Sequence, residues 1–300
     1  MTKTLLIIGL PKAGKTTFIA ALWYVVETAR VPGAMQLAKL PENRRHLNLI
    51  RERWVACAEQ KHTSAGSEQE IRLALREPNG MDVVEVVVPD LSGESFEMQW
   101  SHRQWSRGYE ELANEASGVL LFVHPDRMND SPTISEATAL GDLLEESSSS
   151  PNDSIVGATG ESEQDVAASN AANVEELPWD SSFAPQQVKL VELLQFLTVR
   201  PLQRDRFRLA VIVSAWDRAK ADGLAPDKWL ERRMPLLAQF LKANHEVFQS
   251  QVFGISAIGG NLESEADRLL SITDPTTRID IVGPGVGMHD ITAPVRYVFE

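Results

Sequence analysis

Gly9-Leu10-Pro11-Lys12-Ala13-Gly14-Lys15-Thr16-Thr17 reads G-x-x-x-x-G-K-T, the pattern of a phosphate-cradling P-loop. The leucine- and isoleucine-rich run before it, Thr4-Leu5-Leu6-Ile7-Ile8, predicts a buried strand, and residues 15–30 after it predict a helix. Strand, glycine loop and helix are the order that phosphate binding needs. Backbone N–H groups across residues 11–17 can wrap a β-phosphate, and the positive end of the helix dipole favours its charge. Lys15 is spaced to reach the β- and γ-phosphates, and the Thr16 hydroxyl can ligate Mg²⁺. Gly9, Pro11, Lys12, Ala13, Gly14, Lys15, Thr16 and Thr17 are thus the expected phosphate-site residues.

Outward from this loop the pattern alternates. Strands are predicted at 4–9, 71–76, 82–89, 118–124, 207–214 and 251–256, and helices at 15–30, 41–60, 101–115, 186–198 and 227–244. Such alternation predicts an α/β protein in three layers, with helices on both faces of a mainly parallel sheet. Asn79-Gly80 between two closely spaced strands predicts one antiparallel pair at an edge. A further hairpin is expected around 278–285 and a short terminal helix from about residue 291.

The 300 residues are read as a single domain, 1–300, interrupted by an insertion at 145–182. Twelve of the 42 acidic residues lie between Met128 and Val188, and none of the 29 basic ones do. The net charge of −13 therefore belongs to one segment, and the rest of the chain is nearly neutral. Ser, Glu, Asp, Asn, Gly and Ala dominate 145–182, too polar a mixture to offset its conformational entropy, so a disordered acidic loop is expected there. The chain carries no basic stripe of the kind that marks nucleic-acid binders; Arg44, Arg45, Arg51 and Arg53 form only a local cluster. A single cysteine, Cys57, excludes a disulfide framework and a cysteine metal site, and the six histidines lack metal-ligand spacing. With no membrane-length apolar run and no signal-peptide pattern, a soluble, cytoplasmic protein is expected.

Three further stretches complete a nucleotide site. Val86-Val87-Val88-Pro89-Asp90-Leu91-Ser92-Gly93 delivers a carboxylate at a strand's carboxyl end, beside the P-loop. Asp90 can hold a water on Mg²⁺, and the Gly93 N–H can meet a γ-phosphate. Phe207 to Ser214 is a second buried strand, and Asp217 follows it. A carboxylate there accepts from both guanine N1–H and the exocyclic amino group, a match adenine cannot make. Last, Val252-Phe253-Gly254-Ile255-Ser256-Ala257 runs a strand into Ser256-Ala257, whose backbone can contact guanine O6.

In that order the four stretches resemble the G1, G3, G4 and G5 boxes of a TRAFAC-class, Ras-like P-loop GTPase. Gly-Leu-Pro-Lys-Ala-Gly-Lys-Thr-Thr, Pro-Asp-Leu-Ser-Gly-Glu and Ser-Ala-Trp-Asp are similar to the bacterial double-GTPase (DO-GTPase) family over residues 1–126 and 186–260. The resemblance implies a Ras-like fold, GTP and GDP as substrate and product, Mg²⁺, and a protein partner (a second GTPase or an effector) in a bacterial conflict or stress system. It makes Ser214-Ala215-Trp216-Asp217 the guanine box, with Ala215 where relatives keep the lysine that covers the base. It also sets Glu94 where a water-orienting glutamine is common, with Gly93 and Lys15 completing the hydrolytic set; a carboxylate facing the γ-phosphate implies slow hydrolysis. Thr63 is the expected switch threonine and third magnesium ligand, with Ser64 and Ser67 as substitutes. Two other readings stay open: a P-loop ATPase or nucleotide kinase using Arg103 and Arg107 as a lid, and a nucleotide-binding scaffold with negligible turnover.

Overall fold

The computed structural model describes residues 3–42, 44–60, 71–80, 82–88, 93–127, 184–200, 202 and 206–300. Its centre is set by the most apolar runs of the chain. In β1 (Thr4–Ile8), Leu5 and Ile7 enter one hydrophobic cluster while Leu6 and Ile8 enter another. In β5 (Ala116–Val123), Leu120 and Phe122 go to the first cluster and Val119, Leu121 and Val123 to the second. β6 (Phe207–Ser214) divides the same way, Ala210 and Ile212 against Leu209, Val211 and Val213. Side chains alternate along a strand, so a strand buried on both faces must be apolar throughout.

Eight strands form one sheet in the order β2-β3-β4-β1-β5-β6-β7-β8. The inner run β4 (Val83–Val88), β1, β5, β6 and β7 (Phe248–Ser256) is parallel. One face is covered by α1 (Lys15–Thr28), α2 (Arg44–Val55) and, at the chain's end, α10 (Ala293–Phe299). The other is covered by α3 (Gly93–His102), α4 (Arg107–Glu115), α5 (Gln186–Phe196), α7 (Pro226–Arg233) and α8 (Pro235–Ala243). Two shorter elements, α6 (Trp216–Ala219) and α9 (Leu262–Leu270), follow β6 and β7. This is the expected three-layer P-loop arrangement.

The expected hairpin forms: β3 (Ile71–Arg76) pairs antiparallel with β4. Its turn lies one residue earlier than Asn-Gly suggests. Gly80 N donates to Glu77 O at 3.1 Å, so Pro78-Asn79 are the central pair, with proline at the position its fixed φ favours. The antiparallel edge extends further than expected, because β2 (Gln36–Lys39) adds to β3; four mixed residues carry little strand signal. The opposite edge is also antiparallel. β8 (Asp280–Val282), expected within a self-contained hairpin, pairs with β7 instead.

Two expected helices are each divided. The 101–115 segment breaks at Arg103, whose φ of 53° is left-handed, and restarts where Ser106 Oγ accepts from Tyr109 N at 3.2 Å as an N-cap. The 227–244 segment breaks at Pro235, which lacks the N–H needed to continue α7 and opens α8. α2 stops five residues short of its expected end, before a turn in which Cys57 has φ 51°. Contacts group Met1–Met128 with Gln186–Glu300 in one unit and Asn129–Pro185 in a second. The acidic stretch 145–182 lies outside the described residues. Among the described residues no helix is long and apolar enough to cross a membrane.

Candidate nucleotide-binding site

β1 ends on Ile8, and the chain turns through residues 9–14 into α1, whose N-cap is Gly14. Gly14 has φ 90°, and a β-carbon there would lie 2.9 Å from Ser214 Cβ. Conformation and space both require glycine at this point, which brings the P-loop against the end of β6. Pro11 has no N–H, so the loop's backbone donors begin at Lys12. Lys12 itself is exposed, with φ 59°.

Lys15 folds back on the loop. Its Nζ donates to Gly9 O at 2.5 Å and Leu10 O at 3.0 Å, and lies 5.5 Å from the centre of the Phe96 ring on α3. Burial pushes its ammonium down to about 8. A cation held by neutral carbonyls under an aromatic ring is well placed to exchange those contacts for phosphate oxygens, which compensate its charge far better.

The other end of the site is a cavity of about 460 Å³ bordered by Gly14, Thr17, Ser214, Ala215, Asp217, Ser256 and Ala257. Pieces from three separate parts of the chain thus meet around one space. Ser256 Oγ donates to Asp217 Oδ1 and accepts from Gly259 N at 3.0 Å, which fixes the carboxylate and the turn together. Ser214 is buried, its Oγ donating to Val123 O at 3.0 Å across the β5–β6 pair. Phe18, Phe122, Ile212 and Ile255 supply apolar lining. Asp217, Glu59 and Glu263 are the carboxylates at the cavity, and Asp217 is the one that Ser256 holds just after β6, where it suits a purine that carries adjacent N–H donors.

Ala215, in left-handed conformation at φ 47°, leaves the base without a lysine cover. Trp216 is no substitute, for it is buried in the core in edge-to-face contact with Trp229 at 6.5 Å. The wall that sequence reading missed comes from the turn after α2, where Cys57 and Glu59 line the cavity. Phe96 over Lys15 was also missed; a lone aromatic in an amphipathic helix carries no such signal.

The metal side is only partly within the described residues. Thr16 stands in the first turn of α1, and Gly93 and Glu94 open α3. Asp90, Thr63 with its substitutes Ser64 and Ser67, and the Glu94 side chain lie outside the described residues. Among the described residues no group of three or more His, Cys, Asp or Glu side chains gathers to hold a metal. Thr16 instead offers one hard hydroxyl oxygen beside the phosphate loop. That donor fits Mg²⁺, which takes one or two protein oxygens and completes its shell with phosphate and water.

A model of the Double-GTPase 1 family matches residues 6–298. Among solved structures, the crystal structure of a bacterial selenocysteine-specific elongation factor, EF-Sec, aligns with 92% of this chain at 12% identity and a TM-score of 0.32. The chain spans about 30% of that structure's length. No curated protein matches the chain.

Proposed function

Because the chain belongs to the Double-GTPase 1 family, we propose that it is a GTP-binding molecular switch that hydrolyses GTP slowly and signals to a protein partner. The observation that carries the guanine assignment is the Asp217 carboxylate, held by Ser256 at the edge of a cavity whose other end is the P-loop. In this reading the backbone N–H groups from Lys12 to Thr17 cradle the phosphates and Lys15 moves from its carbonyl partners onto them. Asp217 takes N1–H and the exocyclic amino group of guanine, and the Ser256-Ala257 backbone meets O6. Thr16, Asp90 and Thr63 are the residues that would hold Mg²⁺, which neutralises phosphate charge when bound.

Glu94 accounts for the slow rate. A carboxylate beside the attacking water repels the γ-phosphate where a glutamine would not. Release of the Thr63 and Asp90 segments after hydrolysis would change the surface read by the partner, a second GTPase or an effector in a bacterial conflict or stress system. A nucleotide-kinase lid at Arg103 and Arg107 gains no support, since both are engaged at the surface, Arg103 with Glu192 at 3.3 Å and Arg107 with Glu111 at 3.1 Å.

Single-turnover hydrolysis of GTP and ATP, with wild type and Glu94→Gln, tests the proposal. GTP should be cleaved in preference to ATP, and Glu94→Gln should cleave it faster. Equal cleavage of both nucleotides would contradict the guanine assignment. Tight GTP binding with no cleavage by either protein would favour a nucleotide-binding scaffold.

A further inference from the structure

Ser256 and Ala257 line the cavity, and in the proposed function their backbone meets the base, so the position of this turn must be held from behind. That support comes from 200 residues earlier in the chain. Trp54, on the last turn of α2 and 1% exposed, donates its indole N–H to Ala257 O at 2.9 Å. Arg278 lies over the Trp54 ring, its guanidinium 4.6 Å from the ring centre, and is 4% exposed.

Arg278 donates its Nε to Pro275 O at 3.4 Å within its own turn and makes its other polar contacts with the end of α2 and the turn that follows. Its Nη2 donates to Trp54 O at 3.3 Å, and its Nη1 to Val55 O at 3.3 Å and Cys57 Sγ at 2.6 Å. The two carbonyls, of which Trp54 O also accepts from Cys57 N at 3.1 Å, lie at the negative end of a helix dipole, a favourable place for a cation. The backbone of Arg278 supports the other side. A β-carbon on Gly259 would lie 2.1 Å from Arg278 O, so the turn after Ala257 passes directly against it, and Gly259 N is the donor to Ser256 Oγ.

One buried pair therefore touches both walls of the cavity: the Asp217–Ser256–Ala257 side and the Cys57–Glu59 side. Burying a guanidinium against carbonyls, sulfur and a ring is expensive, and an apolar side chain would fill a core more cheaply. We infer that Arg278 and Trp54 are positioning residues for base recognition: they set the gap between the two walls and so govern guanine selectivity without touching the phosphates. The inference rests on the guanine-nucleotide reading of the cavity.

The test measures binding of GDP, ADP and inorganic tripolyphosphate, each with Mg²⁺, to wild type, Arg278→Met, Arg278→Lys and Trp54→Phe, with circular dichroism to confirm folding. Trp54→Phe keeps a ring and loses the donor to Ala257, so it serves if Arg278→Met fails to fold. The expected result is a loss of GDP affinity of about tenfold in Arg278→Met and in Trp54→Phe. Tripolyphosphate affinity should stay within about twofold, the GDP-to-ADP preference should shrink, and Arg278→Lys should recover part of it. Parallel losses of GDP and tripolyphosphate would mark a general structural role and overturn the inference, as would unchanged GDP binding in folded variants. A wild type that binds GDP and ADP equally would sink the guanine reading itself, and the inference with it.

Discussion

In the proposed function, the two ends of the nucleotide cavity are built in opposite ways. The phosphate end is local: nine consecutive residues, Gly9 to Thr17, carry the loop, the lysine and the first turn of α1. The base end is dispersed, with Asp217 after β6, Ser256 and Ala257 after β7, Cys57 and Glu59 after α2, and Trp54 and Arg278 behind them. Binding a phosphate needs converging N–H groups and a cation, which one turn of chain can supply. Reading a base needs two walls a ring's thickness apart, which only tertiary structure can set. The phosphate end should therefore tolerate changes elsewhere in the fold, while the base end should respond to changes far from it in sequence.

The largest expected effect lies at the local end. Lys15→Met should weaken GDP·Mg²⁺ binding by about 100-fold, read by calorimetry. The nucleotide-free variant should melt no lower than wild type, because the substitution removes a charge that burial disfavours. A lower melting temperature would mean that the contacts to Gly9 O and Leu10 O hold the loop together in the empty protein.

Lys15 also makes the phosphate end sensitive to pH. Its ammonium sits at about 8 in the empty fold, below the ordinary lysine value, because burial disfavours the charge. The resulting cost to the empty fold is present in full below about pH 8 and fades as pH rises toward the unfolded value, so this group adds stability as the medium becomes alkaline. Phosphate favours the charged form and raises its pKa. Binding of GDP·Mg²⁺ at pH 9 should then take up protons and weaken as pH rises, by at most about tenfold per unit. Calorimetry in two buffers of different ionisation enthalpy gives the proton count, and Lys15→Met should abolish the uptake. No uptake in wild type would place the lysine outside the phosphate site.

The same contrast explains what the sequence made legible. The P-loop, Asp217 and the Ser256-Ala257 turn could be read because each stands at the end of an apolar strand whose type and direction are set locally. The inner strands followed for the same reason. What could not be read depends on contacts between distant residues. Arg278 looked like part of a hairpin until β8 paired with β7, and nothing in the Ser214–Asp217 stretch signalled that Trp216 packs against Trp229. Helix breaks at Arg103 and Pro235 fell inside otherwise continuous helical patterns, although the proline was a visible warning.

The smallest expected effect sharpens the base end. Ala215→Lys restores an aliphatic stem and a cation beside the cavity and should tighten GDP about threefold, with little change for tripolyphosphate. Equal tightening of both would mean that the new charge acts on phosphate and not on the ring.

Guanine recognition by Asp217 is the central claim, and exchanging its chemistry tests it most directly. Asp217→Asn replaces an acceptor with an amide N–H, which opposes the exocyclic amino group of guanine but complements the carbonyl oxygen at that position in xanthine. Calorimetry of GDP and XDP, each with Mg²⁺, on wild type and Asp217→Asn should show the preference reversing: GDP tighter in wild type, XDP tighter in the variant. An unchanged order of affinities in a folded Asp217→Asn protein would contradict the account.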